Sequence, residues 1–212
     1  MHPHRSSSPF SRLPASLPAS LLSATLLAAA LPVTAQTSFD CRKAQPGTVA
    51  GTVCRDPALA ELDRALGKTY GAALKAAAGE RPPLLKAEQR GWIKGLEECR
   101  KEADARTCAE RSYRRRNAEL QARYRLVAGD GPVSYVCDGN PADEVRVTYH
   151  QTEPATLIAE RGGAVSLMFQ QSAASGAKYE GRNEMLWEHK GDATIRWGYD
   201  AKEMQCLRKA SR

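Results

Sequence analysis

The chain has few of the residues that mark enzymes and metalloproteins. Only four histidines occur, and only His150 and His189 lie beyond residue 35. No Cys-x-x-Cys pair is present. Metal ligation by close Cys and His pairs is therefore not expected. There is no nucleophile motif and no glycine-rich phosphate loop. The nearest acidic cluster, Glu97, Glu98 and Glu102, sits among Lys and Arg at helical spacing. It reads as surface charge pairing. A protein without catalysis or cofactor is expected. Aromatic residues make up only 6% of the chain, and none interleaves with Arg114-Arg115-Arg116 as a base-stacking surface requires. That run reads as a solvated helix face, and no nucleic-acid partner is expected.

Long apolar runs are also missing, apart from Leu17 to Val33. Arg5 and Arg12 precede this stretch and Val33-Thr34-Ala35 offers small residues after it. The three-part pattern is that of an export signal over residues 1–35, with a mature chain starting near Gln36. The stretch is shorter than the ~20 residues that span a bilayer, and Pro18 and Pro32 interrupt it. No Cys follows the cleavage point directly; the first is Cys41. A soluble periplasmic or secreted product without a membrane anchor is expected.

Six cysteines are present: Cys41, Cys54, Cys99, Cys108, Cys137 and Cys206. All follow the predicted cut, and an even number in an oxidising compartment points to three disulfides. The net charge of +7 is unevenly placed. Residues 36–129 carry +7, and residues 130–212 carry −2. The C-terminal part can therefore approach a basic partner without long-range repulsion.

Two periodicities divide the chain into an α+β, two-domain protein. Residues 36–127 read as a disulfide-linked helical hairpin or three-helix domain. Asp56 can cap a helix and Pro57 suits its first position. Leu59, Leu62, Leu66, Tyr70 and Ala73 then recur at spacings of three and four. A second helix is expected over Leu84–Glu102, and a third from about Arg106 with Tyr113, Leu120 and Tyr124. Residues 128–132 read as a linker. Beyond it, over 133–212, the period becomes two. Short β-like runs occur at Val133–Cys137, Glu144–Tyr149, Thr156–Ala159, Val165–Phe169, Met185–Trp187 and Ala193–Trp197, the signature of a small antiparallel barrel or sandwich. About 80 residues bury little core, so a staple between Cys137 and Cys206 is expected. Cys54 with Cys99 and Cys41 with Cys108 would close a helical hairpin. Cys41 with Cys99 and Cys54 with Cys108 would join the same end equally well.

Two segments stand out: Ser172-Ala-Ala-Ser175-Gly176-Ala177-Lys178-Tyr179, and Leu186-Trp187-Glu188-His189-Lys190-Gly191. Each alone is a hairpin connection. With Tyr135-x-Cys137 and the late Cys206, they resemble the MliC/PliC family of c-type lysozyme inhibitors over Tyr135–Cys206. The loop here is one Ala longer than the commoner form, and His189 fills a slot usually held by a small polar residue. The resemblance implies an eight-stranded antiparallel barrel closed by a disulfide. It also implies c-type lysozyme as partner, with Ser175 and Lys190 entering the active-site cleft. Gly176, Ala177 and Gly191 would belong to the same lysozyme-binding loops, Tyr179 and Trp187 would support those loops from the barrel wall, and Lys178 would add rim attraction or be solvated. Phe39-Asp40-Cys41, Cys54-x-Asp56-x-x-Leu59-Ala60-x-Leu62-Asp63, Gln89-x-x-Trp92 and Cys99…Cys108…Tyr113 resemble the LprI-type domain of exported proteins. That likeness implies a fold and a cysteine framework. The rival expectation is a periplasmic small-ligand-binding barrel, or a cell-envelope adaptor, without lysozyme inhibition.

Overall fold

Asp56 and Pro57 begin the longest helix. The Asp56 carboxylate accepts from the backbone N–H of Ala58 and Leu59 at 2.9 and 3.1 Å, satisfying two donors that a helix start leaves orphaned. The structure is a computed structural model and describes residues 37–79 and 82–210. The expected export signal, residues 1–35, lies outside the described residues. The helices are α1 (Val49–Arg55), α2 (Pro57–Ala76), α3 (Pro82–Leu96) and α4 (Ala105–Arg123). Leu59, Leu66 and Ala73 of α2 pack against Leu85 and Leu96 of α3 and Tyr113 and Leu120 of α4 in one apolar core. Each large side chain withdrawn from water there contributes about 1.5–3 kcal/mol.

Helix α1 was not foreseen. It is only seven residues long and rich in β-branched residues and glycine, so it carries too little periodicity to read. Thr48 caps it, its hydroxyl accepting from Gly51 N–H at 3.0 Å, and Val49 and Val53 bury its inner face.

The missed helix corrects the disulfide pairing. Cys41 bonds Cys54, and Cys99 bonds Cys108. Neither of the two expected arrangements forms. Helix α1 turns Cys54 back beside Cys41, and the tight connection from α3 to α4 brings Cys99 and Cys108 together. The third bond joins Cys137 to Cys206.

Asp63 is a buried carboxylate of this region. It accepts from the backbone N–H of Ser38, from the Ser38 hydroxyl at 3.0 Å and from the Tyr113 phenol at 3.2 Å. The carboxylate thus ties the segment before α1 to α2 and α4.

The remaining chain is a closed barrel of eight antiparallel strands in sequential order: β1 (Gly129–Cys137), β2 (Glu144–His150), β3 (Thr156–Arg161), β4 (Ala164–Gln171), β5 (Ala177–Glu180), β6 (Glu184–His189), β7 (Asp192–Trp197) and β8 (Glu203–Arg208). Strand β8 returns to β1, where Cys137 faces Cys206. The six apolar runs all fall on strands. The two strands without a run are β5 and β8; β5 contributes only Tyr179 to the buried residues, and β8 only Cys206. Tyr135, Val145, Val147, Leu157, Met168, Leu186 and Ile195 fill the interior.

Residues 129–132, expected as linker, instead open β1. Gly129 and Asp130 pair with His150 and Tyr149, and the register then shifts before Val133. Gly131 and Pro132 occupy this irregularity, where a strand tolerates a missing donor and an unusual backbone. Helical region and barrel form one compact unit, with the Arg115 guanidinium 3.6 Å above the Phe169 ring centre.

Candidate functional site at the barrel mouth

Hairpins of a meander barrel alternate between its two ends. The β2–β3, β4–β5 and β6–β7 connections therefore share one mouth, which places the Ser175 loop and the Lys190 turn together. Side-chain contacts tie them more closely. Trp187 on β6 donates its indole N–H to the Ser175 carbonyl at 2.9 Å. It is 39% exposed, so it braces the loop from outside the barrel wall. Gly176 sits at φ +69°. A Cβ there would collide with the Glu188 carbonyl oxygen and lie 3.3 Å from His189 Nδ1. Only glycine lets the loop settle this closely onto β6.

Lys190 and Gly191 connect β6 to β7. Both have positive φ, +53° and +94°, and His189 pairs with Asp192 across them. This is the two-residue hairpin geometry that matches strand twist. It projects Lys190 from the rim, exposed and without an acidic partner among the described residues. Lys178 differs. Its ammonium pairs with Glu180 at 2.8 Å, so much of its charge is already answered. Ala177 starts β5 and packs beside the core, paired with Glu188.

Tyr179 points inward and is buried, edge-on to Tyr149 at 5.8 Å. Beneath the loops, Tyr149 donates to the Glu188 carboxylate at 2.7 Å, and the Tyr135 and Tyr149 hydroxyls lie 3.2 Å apart. Burial pushes all three phenols up from their ordinary value, so they remain neutral donors. Sequence reasoning missed this network, whose members are scattered over three strands. The mouth opens to a depression of about 740 Å³ bordered by Tyr149, Tyr179, Glu188 and Arg208. The interior below it is filled. Among the described residues no group of three or more His, Cys, Asp or Glu is placed to hold a metal, and no helix is long and apolar enough to cross a membrane.

Residues 135–204 match the family model of MliC, the membrane-bound lysozyme-inhibitor of c-type lysozyme. The barrel is an MliC-type domain. The match runs from β1 into β8 and includes both rim loops of the MliC-type barrel; the helices lie outside it. No curated protein and no solved structure matches the chain.

Proposed function

We propose that the protein inhibits c-type lysozyme by inserting the Ser175 loop and Lys190 into the enzyme's active-site cleft. The observation that carries this reading is the pairing of a braced serine loop with an uncompensated lysine on one rim of an MliC-type barrel. Glycoside hydrolysis of this kind uses one protonated and one ionised carboxyl group. An occupant that dries the cleft must satisfy both, because burying an unpaired carboxylate is costly. A serine hydroxyl donates and accepts at once, so it can bridge the acid and its neighbour. A lysine ammonium neutralises the ionised group. The Trp187–Ser175 hydrogen bond and the tight fit of Gly176 hold the loop ready, which lowers the ordering cost of binding. The −2 charge of residues 130–212 spares the barrel itself long-range repulsion from a basic enzyme.

The disulfides fit an oxidising envelope compartment or export. We read residues 36–127 as an LprI-type domain and 133–212 as the inhibitory one. Support for the former comes from its motif residues, which form two disulfides and hold the buried Asp63. A ligand-binding barrel is the weaker reading, since side chains occupy the interior.

A lysis assay with purified c-type lysozyme tests the proposal on the full chain. Wild type inhibits, and Ser175→Ala and Lys190→Ala each weaken inhibition. Gly176→Ala, which displaces the loop and leaves both side chains in place, also weakens it. Equal inhibition by all four proteins would refute the assigned site.

A further inference from the structure

The arginine run of α4 is only in part the solvated face its sequence indicates, since Arg115 is exposed and Arg116 is buried. Arg114 pairs with Glu110 at 2.9 Å, but Arg115 stacks on Phe169 and Arg116 is only 4% exposed. Arg116 donates to Gln89 at 3.1 Å and to Glu119 at 2.9 Å, while its second terminal nitrogen is buried without a partner. Glu119 must also serve Arg123, at 3.2 Å. Arg115 and Arg182 have no carboxylate partner among the described residues. Arg182 belongs to the exposed β5–β6 turn, and the neighbouring Glu184 carboxylate accepts from Ser166 at 2.8 Å instead.

These groups border a single cleft of about 400 Å³ between α3, α4 and the barrel. Four guanidinium groups (Arg115, Arg116, Arg123 and Arg182) face one carboxylate, Glu119, giving a lining charge of +3. A buried arginine that shares its only carboxylate with a second arginine is under-compensated. Trp92 and Phe169 supply aromatic surface in the same cleft.

We propose that this cleft binds a phosphorylated ligand of about monosaccharide size. A phosphomonoester carries about two negative charges and several acceptor oxygens, and planar guanidinium groups match it in a bidentate manner. The half-buried Trp92 would take the apolar face of a sugar ring, while the Phe169 ring, already covered by Arg115, holds that guanidinium in place. Arg115 and Arg182 make the direct contacts, and the buried Arg116 is a fixed positive floor. The site lies on the β5–β6 side of the barrel, away from the Ser175 and Lys190 rim, so the proposal is independent of lysozyme inhibition.

Calorimetric titration of the full chain with glucose 6-phosphate at low ionic strength tests it. Binding is expected, weakened about tenfold or more by Arg182→Ala and by Arg115→Ala. Arg146→Ala, which removes an exposed arginine of β2, should change it by less than about twofold. Near-ultraviolet circular dichroism reports whether each variant keeps its packing; Arg182, in an exposed turn, is the variant that decides if Arg115→Ala does not fold. A second arm uses vesicles of phosphatidylcholine and phosphatidylglycerol. No binding of the sugar phosphate, equal weakening by Arg146→Ala, insensitivity to Arg182→Ala, or binding to vesicles alone would each overturn the proposal.

Discussion

The helical region closes its cysteines locally, across 13 and 9 residues, whereas the barrel closes one bond across 69. The helices hold a contiguous apolar core drawn from all four helices and a buried Asp63 that links three segments. The barrel has a meander topology in which each strand pairs with its sequence neighbour, and only β1 with β8 is a distant pairing. Its staple therefore sits at the one place where closure is entropically most expensive. The two regions also differ in charge, and the proposed inhibitory rim belongs to the barrel.

The largest expected effect breaks this contrast directly. Replacing Cys137 and Cys206 together by Ser should cost about 4 kcal/mol of stability on the loop-entropy model, against about 3 kcal/mol for Cys99 with Cys108. Urea denaturation under oxidising conditions measures both. A smaller loss for the barrel pair would show that its strand pairing, and not the staple, closes it.

Next come the rim residues. Lys190→Ala should weaken lysozyme binding by about 3 kcal/mol, because it leaves a desolvated carboxylate unpaired. Ser175→Ala should cost about 2 kcal/mol, the range for a hydrogen bond to a charged group. Trp187→Phe removes only the donor to the Ser175 carbonyl. It should cost about 1 kcal/mol in binding and leave thermal stability nearly unchanged. If Trp187→Phe matches Lys190→Ala, the indole is itself a contact and not a brace.

The smallest effect concerns pH. His150 is buried where β2 meets the start of β1, and burial holds its pKa below the ordinary value, partly opposed by the nearby Ala128 backbone. The unfolded chain therefore takes up a proton first as pH falls below about 6.5. The stability that neutral His150 contributes is present above that pH and is lost as pH falls toward the folded-state value. His150→Gln should flatten this part of the stability profile, read from melting temperatures at a series of pH values.

Much of this architecture was legible from residue spacing. Leu59, Leu66 and Ala73 marked α2, and alternation in Val145 and Val147 marked β2. The failures have physical causes. Strand β5 is short and β8 is largely polar, and the closed sheet imposes their pairing. Helix α1 depends on a cap and on two valines, too little for a periodic signal. The disulfides followed that missed helix. At the rim, Ser175 and Lys190 stood out by resemblance, whereas the Tyr135, Tyr149 and Glu188 network and the Arg115–Phe169 stack exist only through tertiary contact.

Competition at the enzyme's cleft tests the central claim most directly. Titration of the full chain into c-type lysozyme, with and without a saturating chito-oligosaccharide in the cleft, should show tight binding to the free enzyme. The occupied enzyme should bind more weakly, in proportion to saccharide saturation. Binding of equal strength to both would contradict insertion of Ser175 and Lys190 into the active site.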